Sequence, residues 1–374
     1  MPETDCQIKT RVLSESRHRF NMACIMGNRL GSIHIKKGGR AFCALALFFT
    51  SLSILSMEAS ARNKYATTAK ANTYEWKSQT VIGKPSWHEV RREDTLLDMA
   101  RDNGLGINEM ADLYPDMDPW LPPEGERLMI PTFWVLPSRR EPGIVINLPE
   151  LRIYFFQKDR IHVQTYPCGI GREGLETPLG SFFVTAKERN PTWYIPKSLQ
   201  KEYGMVAMPP GPDNPLGTHK MKFSAGAYAI HGTHMAWGVG RLVSHGCIRT
   251  YPEHIRIIYP QVRIGTRVQI IYEPIKLGTR DGLVFMEVHP DLYKRIEDFK
   301  KYALEKLENS GLSALVDPVA YEMAVDMKRG IPTNVTIPEK ILSSSASPEV
   351  PKQKGNEKTP QGTKGIKIKK LKTY

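Results

Sequence analysis

The sequence predicts a mainly β protein, a curled sheet or open barrel, with a small mixed α/β unit ahead of it and a helical extension behind it. Three observations lead there. From Gly143 to Glu273, apolar residues alternate or run together in short segments separated by turn residues, the pattern of strands. From Trp87 to Thr132, strand and helix signals follow one another closely enough for one small unit. Beyond residue 290 the apolar spacing takes on the period of a helix.

A chain of 374 residues has room for two or three small domains, and its apolar share of 41% and charged share of 24% are ordinary for a globular protein. The ends depart from that average. "AFCALALFFTSLSILSM" (Ala41 to Met57) is an uncharged apolar run behind Lys36, Lys37 and Arg40, and Ala59-Ser60-Ala61 follows with small residues. This is the order of an export signal, expected over 1–61 with a cut after Ala61 and with Met22 or Met26 as alternative starts. An uncleaved anchor is the alternative, because the run is close to the shortest that spans a bilayer. Either way the remainder is expected outside the cytoplasm. Of the net charge of +13, the leader carries +4 and residues 350–374 carry +7, so the middle is nearly neutral. A nucleic-acid partner is not expected, since it would call for a basic face on the folded part. The stretch 336–374 reads as a disordered basic tail, a candidate for weak contact with membrane or anionic wall polymers.

Between these ends the elements follow in order. Residues 62–86 have few apolar anchors and read as a linker. In the unit over 87–136, Asp94 or Thr95 caps a helix with Leu96, Leu97 and Ala100 on one side, and Asn103-Gly104 ends it. A second short helix is expected from about Ile107 to Leu113, and "RLMIP" closes the unit as a strand. In the β-rich domain over 143–273, strands are expected in "GIVINL", "LRIYFF", "RIHVQTYPCGI", "GSFFVTAK", "YAIHG" and "TRVQIIYE", with Pro149-Glu150 and Lys158-Asp159 as turns. Helix signal there is confined to about Pro252 to Val262. In the extension over 274–335, Leu292, Ile296, Phe299, Ala303 and Leu307 share one helix face. A second helix begins at Asp317-Pro318 and closes at Gly330.

Export leaves Cys168 and Cys247 out of five cysteines. Cys247 stands in "VSHGCIRTYP", sixteen residues after His231, which the apolar run "AYAI" delivers. Gly232 lets the backbone turn after the histidine. Gly246 lets it bend before the cysteine and leaves room for a carbonyl to reach the sulfur. Backbone N–H groups around Gly246 and Cys247 are candidates to hold an oxyanion. A cysteine, a histidine and an opened backbone are the equipment for acyl transfer through a thioester. His231, His234, His245 and Cys247 are also zinc-ligand types, but H-x-x-H…H-x-C is not a standard zinc spacing. Cys168 reads as a small apolar filler on a strand, and a disulfide to Cys247 would block the nucleophile. His219 and His234 read as loop histidines without a second catalytic role; Trp193 and Tyr194 either line a groove or pack in the core.

The motifs carry a resemblance. "IHGT" followed by "SHGCIR", with "YPCGIGREGLETPLGSF", "NPTW", "PPGPDNPLGTH" and "GTRVQIIYEPIK" in order, resembles the L,D-transpeptidases with a YkuD-type catalytic domain, from about Gly143 to His289. The skeleton "DTL…A…G…LP.EG..L.IP" resembles a LysM module, which binds glycan chains of peptidoglycan; a spacer without glycan affinity is the alternative. Together the layout resembles exported peptidoglycan enzymes of Gram-negative bacteria, which implies the periplasm or cell envelope. The resemblance implies Cys247 as nucleophile, His231 as general base, and Ser244, His245, Gly246 and Arg249 as the surroundings of the motif. Ser244 and Arg249 are expected to order the loop or contact the peptide, and His245 either orients the site or bonds to structure. The implied reaction attacks the peptide bond after the diamino acid at position three of a tetrapeptide stem and releases D-Ala. The acceptor is then an amine, of a neighbouring stem or of an envelope lipoprotein, or else water. No metal or cofactor is implied. The alternatives are a cysteine hydrolase of peptidoglycan and a non-catalytic wall-binding scaffold.

Overall fold

The computed structural model describes residues 73–76 and 79–338; the expected export signal and the part of the expected basic tail beyond residue 338 lie outside them, while Thr336, expected to open that tail, is buried and bridged to Val316. Strands β1 (Thr73–Glu75), β2 (Val81–Gly83) and β3 (Ser86–Glu89) come first. The stretch read as a linker therefore contributes strands, too short to carry a pattern of their own. Helix α1 (Leu96–Asp102) starts where Thr95 Oγ1 accepts the Asp98 N–H at 3.0 Å, and it buries Leu96, Met99 and Ala100. Asn103 caps its end and Gly104 turns away at φ 68°. Helix α2 (Ile107–Leu113) follows, then β4 (Arg127–Ile130), antiparallel to β3, and β5 (Phe133–Val135), antiparallel to β2. A strand, two helices and a strand thus form over 86–130 as the spacing suggested.

The next segment forms β6 (Gly143–Asn147), β7 (Arg152–Phe156), β8 (His162–Pro167), β9 (Ile170–Gly171) and the long β10 (Gly180–Arg189). Then come β11 (Trp193–Tyr194), α3 (Lys197–Tyr203), β12 (Ala207–Met208), β13 (His219–Phe223) and β14 (Ala229–His231). Last are β15 (Leu242–Ser244), β16 (Ile248–Arg249), α4 (Pro252–Gln261) and β17 (Arg267–Ile271). Nine strands make one open sheet in the order β1-β8-β7-β6-β17-β10-β13-β14-β16. Only β6–β17 and β14–β16 are parallel within it. The sheet curls where β10 leaves β17 after Phe183 and pairs with β13 from Val184, with a bulge between Val184 and Ala186.

Both faces of the sheet are covered at β6 and β7, which explains why "IVI" and "IYFF" run apolar rather than alternating. Ile144, Ile146, Ile153 and Phe155 face one core with Ile255 and Ile258 of α4. Their neighbours Val145, Tyr154 and Phe156 face a second core with Leu96 of α1 and Met110 of α2. Arg152 is buried there, bonded to Glu109 of α2 and 4.3 Å above the Trp134 ring. The N-terminal unit is therefore packed onto the sheet by a paired charge as well as by apolar contact.

The extension is not purely helical. β18 (Ile275–Arg280) and β19 (Leu283–Val288) form a hairpin across Asp281-Gly282. Helices α5 (Phe299–Ser310) and α6 (Pro318–Met327) pack on it, and β20 (Thr333–Asn334) adds an edge. Asp298 caps α5, so Leu292 and Ile296 precede the helix rather than belong to it. Leu292 packs on the sheet core, while Ala303 and Leu307 pack on the hairpin. One apparent periodicity joined residues that serve two cores. Helix α6 is capped by Asp317 as expected, but its C-cap is Lys328, two residues before Gly330. No helix among the described residues is long and apolar enough to cross a membrane.

Candidate active site

The site is built at the edge of the sheet where β14 and β16 run parallel. Ile230 lies opposite Ile248 and His231 opposite Arg249. The two isoleucines are fully buried in the sheet core, which fixes the register, since a slip of one residue would turn them outward. Side chains alternate along a strand, so His231 and Cys247, each adjacent to one of these isoleucines, emerge together on the other side. There they line one cavity of about 360 Å³ with Trp193, Tyr194, Lys220 and Arg249.

The bend before the cysteine needs glycine. Gly246 has φ +98°, and a Cβ there would lie 2.3 Å from a ring carbon of Tyr228. The bend is held from three directions. Ser244 Oγ donates to the Cys247 carbonyl at 2.5 Å and accepts the Gly246 N–H at 3.0 Å. Thr177 Oγ1 donates to the Gly246 carbonyl at 3.0 Å and accepts the Gly171 N–H at 3.0 Å. From the extension, the Tyr293 hydroxyl donates to the Gly171 carbonyl at 2.6 Å, and Arg295 pairs with Glu176 beside Thr177. Ser244 is thus engaged in shaping the loop. The Gly246 N–H, expected as an oxyanion donor, is already bonded to Ser244, which leaves the Cys247 N–H as the candidate from that pair.

His231 is buried, and its Nδ1 lies 2.6 Å from the Gly232 carbonyl. A carbonyl only accepts, so Nδ1 carries the proton and Nε2 is left with the free lone pair of a base. Burial holds its pKa down to about 3, helped by the positive charge of Arg249 and opposed by the bond to Gly232. Burial pushes the Cys247 thiol up, against a backbone hydrogen bond from Ala229 and the charges of Lys220 and Arg249. Both shifts favour the neutral forms, a thiol and an imidazole, at rest. The Cys247 sulfur lies 3.8 Å from the Ala227 carbonyl oxygen.

Gly232 supplies the carbonyl that sets the histidine, and it packs against Ile255. Arg249 is half-buried on the cavity wall, and its backbone exchanges two 2.8 Å bonds with Gly169. His245 is exposed on the rim, with its Nε2 at 3.4 Å from Arg172. His219 lies tilted against Tyr259 with ring centres 4.6 Å apart, and His234 is exposed and lies off the cavity wall. Among the described residues, His231, His234, His245 and Cys247 do not gather three ligand atoms within 4.8 Å, so they form no metal cage. Cys168 is free and fully buried, in the break between β8 and β9 rather than on a strand. Trp193 and Tyr194 resolve in favour of the groove, with Tyr194 79% exposed. Sequence reasoning missed Lys220, Thr177 and Tyr293. Lys220 is the strand partner of His231 in "THKMKF", a signal available only once β13 and β14 are paired.

The fold and site define a class: an L,D-transpeptidase catalytic domain of the YkuD type, whose family model matches residues 141–270. That match stops before the hairpin of the extension, short of the His289 boundary expected from the motifs. The probable L,D-transpeptidase YcfS of Escherichia coli is 33% identical over 288 residues, which are 72% of this chain and 90% of that protein. The probable L,D-transpeptidase ErfK/SrfK of Salmonella typhimurium is 35% identical over 232 residues, 59% of this chain and 74% of its own. The probable L,D-transpeptidase YbiS of Escherichia coli is 32% identical over 245 residues, 62% and 80% respectively. The chain belongs to the L,D-transpeptidase family, enzymes that act on peptidoglycan through a cysteine nucleophile.

Proposed function

We propose that Cys247 is that nucleophile and His231 its general base, acting on tetrapeptide stems of peptidoglycan. The observation that carries this is the β14–β16 pairing, which brings a histidine with a fixed tautomer and a cysteine into one cavity. The Cys247 sulfur attacks the carbonyl carbon of the diamino acid at position three while its proton passes to His231 Nε2. The Cys247 N–H stabilises the oxyanion. Collapse breaks the peptide bond, and the departing D-Ala amine takes the proton from His231. The thioester is then attacked by an acceptor amine, which gives its proton to His231, and the thiolate leaves and is reprotonated. Because both groups rest neutral, deprotonation accompanies substrate attack. A thiol that stays protonated until a carbonyl arrives is protected from stray electrophiles.

Trp193 and Tyr194 form an apolar wall for the stem, and Arg249 and Lys220 give the cavity positive charge for the stem's terminal carboxylate. Ser244, Gly246 and Gly232 are positioning residues in this reading, and His245 contacts substrate at the rim. The unit over 87–136 is a LysM-like module that holds glycan, and the apolar run before Ala61 directs export to the periplasm. The acceptor is the side-chain amine of a second stem, with a lipoprotein lysine as the variant acceptor. The test is the product mass after incubation with disaccharide-tetrapeptides. Cross-linked dimers support transfer to an amine; free tripeptide alone would make the enzyme a hydrolase; unchanged substrate would leave a wall-binding scaffold.

A further inference from the structure

The face of β13 turned away from the Cys247 cavity carries a cluster of positive charge. Side chains alternate along a strand, so His219 points toward α4 while its neighbour Lys220 points into the cavity. On β10, Arg189 is paired opposite His219, and Lys187, two residues earlier, shares that face. From α4, Arg256 comes to the same side as Tyr259, three residues further on. The groups gather around the Tyr259 ring. Lys187 Nζ lies 4.2 Å from its centre, the His219 ring centre 4.6 Å and the Arg189 guanidinium 6.0 Å. Lys187 has a structural task, since its Nζ donates to the Tyr259 and Val262 carbonyls at 2.6 Å each and so closes the end of α4. Arg189 and Arg256 are exposed, and among the described residues neither they nor Lys187 pairs with a carboxylate. Glu188 points to the other face and pairs with Lys220 at 3.7 Å. Burial first, and then the charges of Arg189, Arg256 and Lys187, hold the His219 imidazole below its usual range. Like charges gathered this way reduce folding stability unless an anion joins them.

We propose that Arg189, His219 and Arg256 form an oxyanion site that takes a phosphate monoester. Two guanidinium forks and an imidazole offer more donors than the two oxygens of a carboxylate accept, whereas the three free oxygens of a phosphate monoester serve all of them. Thr218 Oγ1 lies 2.9 Å from His219 Nδ1, which leaves Nε2 for the ligand. The position of the site gives it a purpose. A phosphate held here lies on the far side of β13 from Lys220, the strand partner of His231. The catalytic cavity therefore stays open while the domain is held. The two sites share a backbone, because the His219 carbonyl accepts the Gly232 N–H at 3.1 Å and the Gly232 carbonyl sets the His231 tautomer. A lipid headgroup and a free phosphate both present these oxygens.

The experiment titrates inorganic phosphate into the protein by calorimetry, with chloride keeping the ionic strength constant. Co-sedimentation with phosphatidylcholine vesicles, with and without phosphatidic acid, is measured beside it. Wild type, Arg189→Gln, Arg256→Gln and Arg267→Gln are compared; Arg267 is exposed on β17, outside the cluster, and controls for net charge. Arg189→Gln and Arg256→Gln should each weaken binding roughly tenfold, the loss of one charge-assisted pair, and Arg267→Gln by less than about twofold. That pattern with inorganic phosphate supports the site and makes a small solute the source. The same pattern confined to the phosphatidic acid vesicles supports it and makes a lipid headgroup the source. Wild type that binds neither probe would overturn the proposal. An equal loss in all three variants would also overturn it, by reducing the binding to net charge.

Discussion

Cys168 and Cys247 make an instructive pair. Each adjoins a glycine, each is free, and burial raises the pKa of each thiol. Yet Cys168 is sealed among Tyr166, Ile170 and the other apolar residues of the sheet core, while Cys247 is half-buried and opens onto a cavity shared with His231. The difference teaches that a depressed thiol pKa is not what sets the proposed nucleophile apart. Access, a base with a fixed tautomer and a backbone bent by Gly246 mark it.

The largest effect expected is from exchanging the two sites' side chains for alanine. Cys247→Ala should fold normally and lose all turnover. Cys168→Ala should retain turnover and lose about 1–2 kcal/mol of stability in urea melts through a small cavity. Equal activity losses in both would break the comparison. Next, His231→Gln should lower kcat by about 10²–10⁴, the usual worth of a general base, as measured by tetrapeptide turnover. Smaller again is Gly246→Ala, where the positive φ and the contact with Tyr228 distort the bend; a drop of roughly tenfold to a hundredfold in kcat with a native circular dichroism spectrum is expected. Tyr293→Phe removes the hydroxyl that braces Gly171 and, through Thr177, Gly246. It should reduce kcat a few-fold with KM unchanged, since the brace acts on geometry rather than on substrate.

A separate effect is in stability against pH. His254 is buried between Tyr166 and Tyr251, and burial lowers its pKa from 6.5 to about 4, as burial lowers His231 to about 3. The unfolded chain binds these protons first, so stability is full above about pH 6.5 and is lost as pH falls toward 4. Asp112, raised to about 6 by burial, works the other way between 3.8 and 6. His254→Phe should flatten the acid limb by on the order of 1–3 kcal/mol in melts from pH 7 to 4.

Much of this was legible in the sequence where local pattern and tertiary role coincide. The strands of β6, β7 and β8 were readable because both faces are buried, and α1 because its cap and apolar spacing agree. The hairpin of β18 and β19 was overlooked although Asp281-Gly282 between apolar runs is a turn signal, because the helical spacing beyond it set the reading of the whole extension. Helix α3 buries no residue and so leaves no apolar period. Strand β1 exists only through its pairing with β8. Cys247, His231 and their glycines, the proposed site, stand out in the sequence because the pattern that singles them out is local to two short motifs. Thr177 and Tyr293 were not, since each acts through a hydrogen bond to a residue far along the chain.

The most direct test of the central claim is intact-protein mass spectrometry of the protein after brief exposure to a disaccharide-tetrapeptide, wild type beside Cys247→Ala. The account predicts an adduct of the substrate mass less D-Ala, mapped to Cys247 and absent from the variant. An adduct on Cys168, or one that persists in Cys247→Ala, would contradict it.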